Sequence, residues 1–375
     1  MSGDPAKASA DKSVAVQSVG PGDGAHESFI VTPNDRLLIT GAAGFIGSCV
    51  VESLLGLGFR NLICFVRHSS DITRLDGVMK RRPVGAQVGL FRGNLLSKTD
   101  CEAACKDVKV IFNLAAGTGE KSFPDAFMNS VVTTRNLLES CLHAARLRRF
   151  VLVSSFTVYT NSQKSRYLDE SCPIEDFPEL RGDAYCYAKV KQEEIVRKYG
   201  KDFGIPYVMV RPGSVYGSAK PEITGRVGVN TFGIFLHLGG LNAIPFTYVS
   251  NCADAVALAG LVKGIDGEAF NVVDDDLPSS RIFLHQYKNN VRRFRSLYVP
   301  HLVSYGLCYL WEKYSRWSRG QLPPAFNRRR WRVEWRKTRF TNEKAKKLLR
   351  WAPRVSTEDA MRLYFNSCAQ DSRNA

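Results

Sequence analysis

Tyr185-Cys186-Tyr187-Ala188-Lys189 sets a phenol and an ammonium four residues apart, one turn along one face of a helix. An ammonium beside a phenol favours the phenolate, so the pairing is expected to lower the tyrosine pKa and let it act as acid or base near neutral pH. The overlapping pair Tyr187/Lys191 has the same spacing. The first pair is preferred because of Ser154-Ser155-Phe156-Thr157-Val158-Tyr159, which follows a strand pattern. A hydroxyl at a strand end is suited to hydrogen-bond a substrate oxygen beside the phenol.

A second set of residues is built to bind phosphate. Arg36-Leu37-Leu38-Ile39-Thr40 reads as a buried strand running into glycines at 41, 44 and 47, and Phe45 onward reads as an amphipathic helix. In that context the first glycine permits a tight turn, the second lets backbone approach a pyrophosphate, and the third allows helix to pack closely on strand. The helix N-terminus adds unpaired N–H groups. The expected ligand is a dinucleotide, contacted by Gly41, Gly44, Phe45, Ile46 and Gly47. About 20 residues past the glycines an acid usually meets the adenosine ribose. Here Arg67 stands at that point. A guanidinium can clamp a 2′-phosphate and stack on adenine, which favours NADP over NAD.

These residues need rigid elements behind them. From Arg36 onward, short apolar strands alternate with amphipathic helices, the pattern of parallel strands joined by crossover helices. Expected strands are Arg36–Thr40, Asn61–Arg67, Gln87–Arg92, Val108–Leu114, Phe150–Ser154, Tyr207–Arg211 and Ala269–Val273. Expected helices include Phe45–Leu57, Lys98–Cys105, Ser122–Ala145 and Ala184–Phe203. The fold class is α/β, a Rossmann-type doubly wound parallel sheet with a smaller C-terminal substrate-binding lobe. The division expected is a disordered arm over 1–34, a dinucleotide-binding domain over 35–211, and a substrate lobe over 212–368 that returns one strand, about 269–273, to the sheet.

The chain has 375 residues, enough for a large core. Its ten cysteines form no CxxC pair and no zinc-spaced cluster, so they read as reduced thiols of a cytoplasmic protein, with no metal expected. The N-terminus lacks the layout of a secretory signal. The apolar run Tyr298–Trp311 is too short to span a bilayer. Net charge is +16, and between Arg281 and Arg354 there are 20 Lys/Arg against three acids, so the basicity belongs to the C-terminal part. No nucleic-acid-binding motif accompanies it, and nucleic acid is not expected as a partner.

Taken together the motifs resemble an extended short-chain dehydrogenase/reductase, the superfamily of nucleotide-sugar epimerases and 3β-hydroxysteroid dehydrogenases. The resemblance covers most of residues 36–365. It rests on Thr40-Gly41-x-x-Gly44-x-x-Gly47, Gly93-Asn94-Leu95, Asn113-Leu114-Ala115-Ala116, Val153-Ser154-Ser155-x-x-Val158-Tyr159, Tyr185-x-x-x-Lys189 with Glu193, and Arg211-Pro212-x-x-Val215-Tyr216-Gly217. It implies that Ser155, Tyr185 and Lys189 are catalytic, and that Asn94 and Leu95 lie near adenine. Leu114, Ala115, Ala116, Tyr185, Lys189 and Pro212 are expected to pass along the cofactor. The chain departs from the pattern at Asn94, where the family has Asp, and at Ser130-Val131-Val132-Thr133-Thr134, where a conserved-type helix motif is poorly kept.

For the substrate, Phe246 to Ala255 lacks the arginine of many sugar epimerases. Its Tyr248-Val249-x-Asn251-x-Ala253 string is similar to the 3β-hydroxysteroid and 4-carboxysterol dehydrogenase branch, as are Leu322-Pro323-Pro324 and Arg339-Phe340-Thr341-Asn342 onward. The expected substrate is therefore an apolar, sterol- or lipid-like alcohol or ketone, with nucleotide-sugar epimerisation the alternative and a non-catalytic NAD(P)- or RNA-binding protein a remote one. The basic residues 292–340 are expected to sit on an anionic membrane, with Trp311, Trp317, Trp331 and Trp335 at the interface. A nucleotide diphosphate or plain solvent are the other settings for that segment, and a homodimer is an expected assembly.

Overall fold

The computed structural model describes residues 28–374 except 118, 120–121, 143–146, 219–221, 232 and 319–325. Most of the expected N-terminal arm, and Leu322-Pro323-Pro324, lie outside the described residues. Its last part, 28–34, is packed. Phe29 and Val31 are buried, the Phe29 ring lies 6.1 Å from Phe59, and Ile30 N–H donates to Leu261 O at 2.8 Å. Two apolar side chains two residues apart suffice to hold this stretch, and they were hidden in a composition that reads as polar.

The main sheet has seven parallel strands: β1 Arg36–Thr40, β2 Asn61–Val66, β3 Gln87–Arg92, β4 Val108–Asn113, β5 Arg149–Val153, β6 Tyr207–Pro212 and β7 Ala269–Val272. Their order is β7-β6-β5-β4-β1-β2-β3, the doubly wound arrangement expected. Period-2 alternation assigns the side chains to faces. Leu37 and Ile39 join the core with helices α1 (Phe45–Gly56) and α7 (Val249–Leu261), whereas Leu38 joins Leu137, Leu138 and Val196 of α5 (Thr133–Leu142) and α6 (Ala184–Phe203) on the other face. The strands are hydrophobic throughout because both faces are covered.

The division at Arg211 does not mark a packing boundary. Beyond the one returning strand, α7 and Ala345, Leu349 and Trp351 also belong to the core around α1. Gly260 lets α7 approach so closely that a Cβ there would lie 2.3 Å from the Phe112 ring. The expected helix over 122–145 is α4 (Phe123–Ala126), a π-turn over Phe127–Val132, and α5, with its last residues outside those described.

The glycine turn is the tightest point of the fold. Gly41 has φ +68°, and a Cβ on Gly47 would sit 2.1 Å from Gly41 O. Gly47→Ala should therefore lower unfolding stability by about 1–3 kcal/mol in urea titration. Gly56→Ala, with nothing within 4 Å, should instead raise it by up to about 1 kcal/mol. A Gly47→Ala protein as stable as wild type would mean that the loop has slack.

Candidate active site

A cleft of about 1240 Å³ opens beyond the C-terminal ends of β1, β4 and β5, where strand order reverses between β1 and β4. Gly41, Gly44, Phe45, Ile46 and Gly47 form one wall, and Leu114, Ala115 and Ala116 the floor beside them. Arg67, Asn94 and Leu95 line one end, while Tyr185, Lys189, Ser155 and Pro212 line the other. Every residue expected to be catalytic or to contact the cofactor is thus brought to one cavity.

Hydrogen bonds that the motifs did not reveal hold the wall to the floor. The Thr40 hydroxyl donates to Asn113 Oδ1 at 2.8 Å and accepts from Ala115 N–H at 3.2 Å. Asn113 Nδ2 donates to Thr134 Oγ1, as does Gln192 Nε2 of α6, and Thr134 in turn donates to Ser130 O. Ser130 Oγ accepts from Gly117 N–H at 3.0 Å. The poorly kept Ser130–Thr134 stretch therefore serves as scaffold, and the π-turn containing Ser130 is what aims its hydroxyl at the floor segment. These side chains are polar at buried positions, which in sequence looks like a helix of ordinary mixed composition.

The site fits a dinucleotide. Side chains are missing where the backbone must come close, at Gly41 and Gly44, and the first turn of the 12-residue α1 faces the cleft with no side-chain cap on its N–H groups. Tyr216, which lines the same cleft, has a buried hydroxyl without a hydrogen-bond partner among the described residues. At the outer end, Arg67 is exposed with Ser69, Ser70 and Asp71 along the same rim, so the arginine shares that rim with an acid that the spacing argument passed over. Asn94 is held in a local turn, its Oδ1 accepting from Leu96 N–H at 3.0 Å.

At the inner end α6 starts at Asp183, whose carboxylate accepts from Tyr185 N–H and Cys186 N–H, and stops at Gly204 in the left-handed region. This fixes Tyr185 on its first turn. Ser155 hydrogen-bonds the Tyr185 side chain. Lys189 Nζ donates to Val153 O at 2.7 Å and lies 5.8 Å from the Tyr185 ring centroid. The expected lowering of the phenol pKa is not found. Burial pushes Tyr185 up to about 12, the Ser155 hydrogen bond opposing it only in part. The physical reason is that the ammonium is drawn to the strand-end carbonyl and sits over the ring. Burial also brings Lys189 down to about 8, with Glu193 opposing that shift.

Behind the pair stands a buried ionic bracket. Arg211 donates to both Glu193 oxygens at 2.8 and 2.6 Å, Ser154 Oγ donates to Glu193 at 2.6 Å, and Arg211 Nη1 reaches the Tyr159 hydroxyl at 2.7 Å. Tyr159 donates onward to Asn271 Oδ1 of β7. Burial would raise the Glu193 pKa, but its arginine and serine partners hold it below the usual carboxylate range. The overlapping pair falls elsewhere. Tyr187 packs edge-on against Phe123 at 5.2 Å, and Lys191 pairs on the surface with Glu194 at 2.8 Å.

A second cavity of about 300 Å³ shares Ser155 and Tyr185 with the first and is closed by Phe156, Thr224, Arg226, Phe326, Arg330, Glu334 and Trp335. Sequence reasoning missed Arg226, whose Nη1 donates to Val333 O and whose Nε lies 3.9 Å from Glu334. The basic C-terminal segment is tied down here: Asn327 donates to Arg181 O, Arg329 pairs with Glu175 at 2.6 Å, and Arg336 reaches Asn161 O. Asn251 is fully buried away from either cavity, joining Asp274 and Val355, so its string braces α7. One further expectation is corrected: Trp335 is buried with its Nε1–H on Gly225 O, so it does not stand at an outer surface. Trp331 is half-buried and donates to Ser304 Oγ.

A model of the NAD dependent epimerase/dehydratase family matches residues 37–272. The human sterol-4-alpha-carboxylate 3-dehydrogenase, decarboxylating, is 25% identical over 87% of this chain and 86% of its own. The uncharacterised UDP-glucose epimerase YtcB of Bacillus subtilis (strain 168) is 26% identical over 63% of this chain and 76% of its own. A crystal structure of UDP-glucuronic acid 4-epimerase from Bacillus cereus with UDP-glucuronic acid and NAD shares the fold at TM-score 0.66 and 23% identity, covering 89% of this chain and 99% of that one.

The buried ammonium makes stability depend on pH. Lys189 titrates at about 8 in the fold and at 10.5 when unfolded, so between those values the unfolded chain binds the extra proton and stability from this group rises with pH. Below pH 8 both states are charged and the gain is absent. Relative to Lys189→Met, wild type should gain about 3 kcal/mol across that window, read from denaturant midpoints. A pH-independent difference would show the ammonium to be hydrated.

Proposed function

Because the chain belongs to the NAD dependent epimerase/dehydratase family, we propose that it is an oxidoreductase acting on a secondary alcohol or ketone of an apolar, sterol- or lipid-like substrate. The observation that carries this is the sharing of Ser155 and Tyr185 between the two cavities, one able to hold a dinucleotide and the other a substrate. The nicotinamide supplies or accepts the hydride when bound. The rest falls to the chain. With a pKa of about 12 the Tyr185 phenol carries its proton at neutral pH, so in the reducing direction it donates to the carbonyl oxygen while Ser155 holds that oxygen. Lys189 is the stronger acid by its pKa of about 8 and restores the proton to the phenolate.

The apolar substrate is supported by coverage. Likeness to the sterol dehydrogenase runs through 87% of the chain, whereas likeness to the UDP-glucose epimerase covers 63%. Phe156, Phe326 and Trp335 give the smaller cavity apolar walls. A nucleotide sugar is the second reading, favoured by Arg226 and Arg330 in the same cavity, which suit a diphosphate. Arg67 supports NADP over NAD, both being dinucleotides that the glycine turn accepts.

Assays with sterol and nucleotide-sugar panels, followed by reduced-nicotinamide absorbance, separate the two readings: net cofactor reduction by sterols supports the first, and sugar isomers without cofactor change support the second. Tyr185→Phe should lower turnover by about 10²–10⁴-fold with cofactor binding retained, while Tyr187→Phe stays near wild type. The reverse pattern would move the chemistry to the other pair. Arg67→Asp should shift preference from NADP toward NAD in a fluorescence titration, and a wild type that already binds NAD more tightly would defeat that assignment.

A further inference from the structure

Helix α9 (His301–Trp317) is amphipathic in the wrong sense for a surface helix of a protein in water. Its buried residues are Ser304, Cys308 and Ser315, and Glu312 is turned inward, accepting from the Arg328 backbone N–H at 2.7 Å and its Nε at 3.0 Å. Its apolar residues face out. Leu302 is 88% exposed, Leu310 62% and Trp317 78%, with Val303, Leu307 and Tyr314 also exposed. At 100° per residue these six fall within about 140° of arc, and at 1.5 Å per residue the stripe is about 22 Å long. Leu297 and Tyr298, exposed just before the helix, extend it. Burial among the described residues does not account for the pattern, since folding alone would turn such side chains inward.

The charge around the stripe selects its occupant. From Arg292 to Arg330 there are nine Lys/Arg and a single acid, Glu312, which faces the protein. Lys313 and Arg316 lie on the exposed side of the helix, and Arg292, Arg293 and Arg295 are exposed ahead of it. A second copy of the chain meeting this face about a twofold axis would set cations against cations. An anionic lipid surface meets both demands, taking the apolar stripe among its acyl chains and the cations at its headgroups. No helix among the described residues is long and apolar enough to cross a membrane, so the contact would lie in the interface plane.

We propose that the outward apolar face of α9 docks this protein onto an anionic lipid surface, with the arginines that precede it and Lys313 and Arg316 at the headgroups. The sequence pointed to the tryptophans of this region as the interface residues; of those four, the structure leaves Trp317 mostly exposed and supplies aliphatic residues in place of the others. The docked helix packs directly on α10 (Arg328–Glu334) through the Trp331–Ser304 hydrogen bond. Arg330 and Glu334 of α10, and Trp335 after it, line the smaller cavity, so the lipid-facing layer lies one helix away from a cavity that Tyr185 also lines.

The proposal goes beyond the substrate reading and is tested without turnover. Full-length protein is sedimented with vesicles of phosphatidylcholine alone and of phosphatidylcholine mixed with phosphatidylserine. Wild type is expected to bind the mixed vesicles at least tenfold more tightly, with the difference shrinking as salt is added. The double variant Leu302→Asp/Leu310→Asp should lose at least tenfold of that binding while keeping its circular dichroism and its nicotinamide-cofactor affinity. Lys313→Glu/Arg316→Glu should weaken the preference for phosphatidylserine. Equal binding to both vesicle types, or binding unchanged in the leucine variant, overturns the proposal. So does a concentration-dependent dimer in sedimentation velocity that the leucine variant abolishes while vesicle binding is absent.

Discussion

Everything at the inner end of the cleft depends on one buried carboxylate. Glu193 sits two turns along α6 from Tyr185 and is clasped by Arg211 at the end of β6 and by Ser154 at the end of β5. Those three points fix the helix that carries Tyr185 and Lys189, the strand end that carries Ser155, and the strand that leads into Pro212. Ion pairs taken out of water repay their desolvation only when geometry is good and the remaining lone pairs are filled. Here both carboxylate oxygens are used more than once, Arg197 supplying a further donor at 2.9 Å. The result is a rigid frame in which a hydroxyl from one strand can meet a phenol from a helix distant in sequence.

Burial then sets the chemistry of the frame. It raises the phenol and lowers the ammonium, so the two groups are displaced in opposite directions by one cause. The expectation from spacing, that the lysine would make the tyrosine a readier base, treated the pair as if it stood in water. In the fold the ammonium is satisfied by Val153 O, and the pair behaves as a donor backed by a stronger donor.

Much of this was legible in the residues, because local signals and tertiary demands agreed. Helix α6 runs from Ala184 to Phe203 as expected, since Asp183 caps one end and Gly204 can adopt the left-handed turn at the other. The glycine turn was equally readable, its spacing being imposed by backbone contacts that no other residue allows. Less legible were groups whose role depends on what lies across the fold. Thr40, Gln192 and Tyr159 are ordinary residues until their partners arrive from distant segments. Trp335 misled for the same reason: an indole in a basic stretch gives no sign of which way it points. Phe29 and Val31 show the converse, two apolar side chains finding cover under a helix terminus that the local composition did not announce.

The wall of the smaller cavity is supplied by Phe326, Arg330, Glu334 and Trp335, latched by Asn327 to Arg181 and by Arg329 to Glu175. The reacting groups, by contrast, come from the sheet and α6, which precede it in the chain. The reacting side chains are therefore synthesised before the chamber wall, whereas the core beneath them is completed only by Ala345, Leu349 and Trp351, which follow it. Wall and chemistry thus come from separate stretches of one chain, so the side chains of Phe326, Arg330, Glu334 and Trp335 can reshape the chamber without replacing any group that reacts in it.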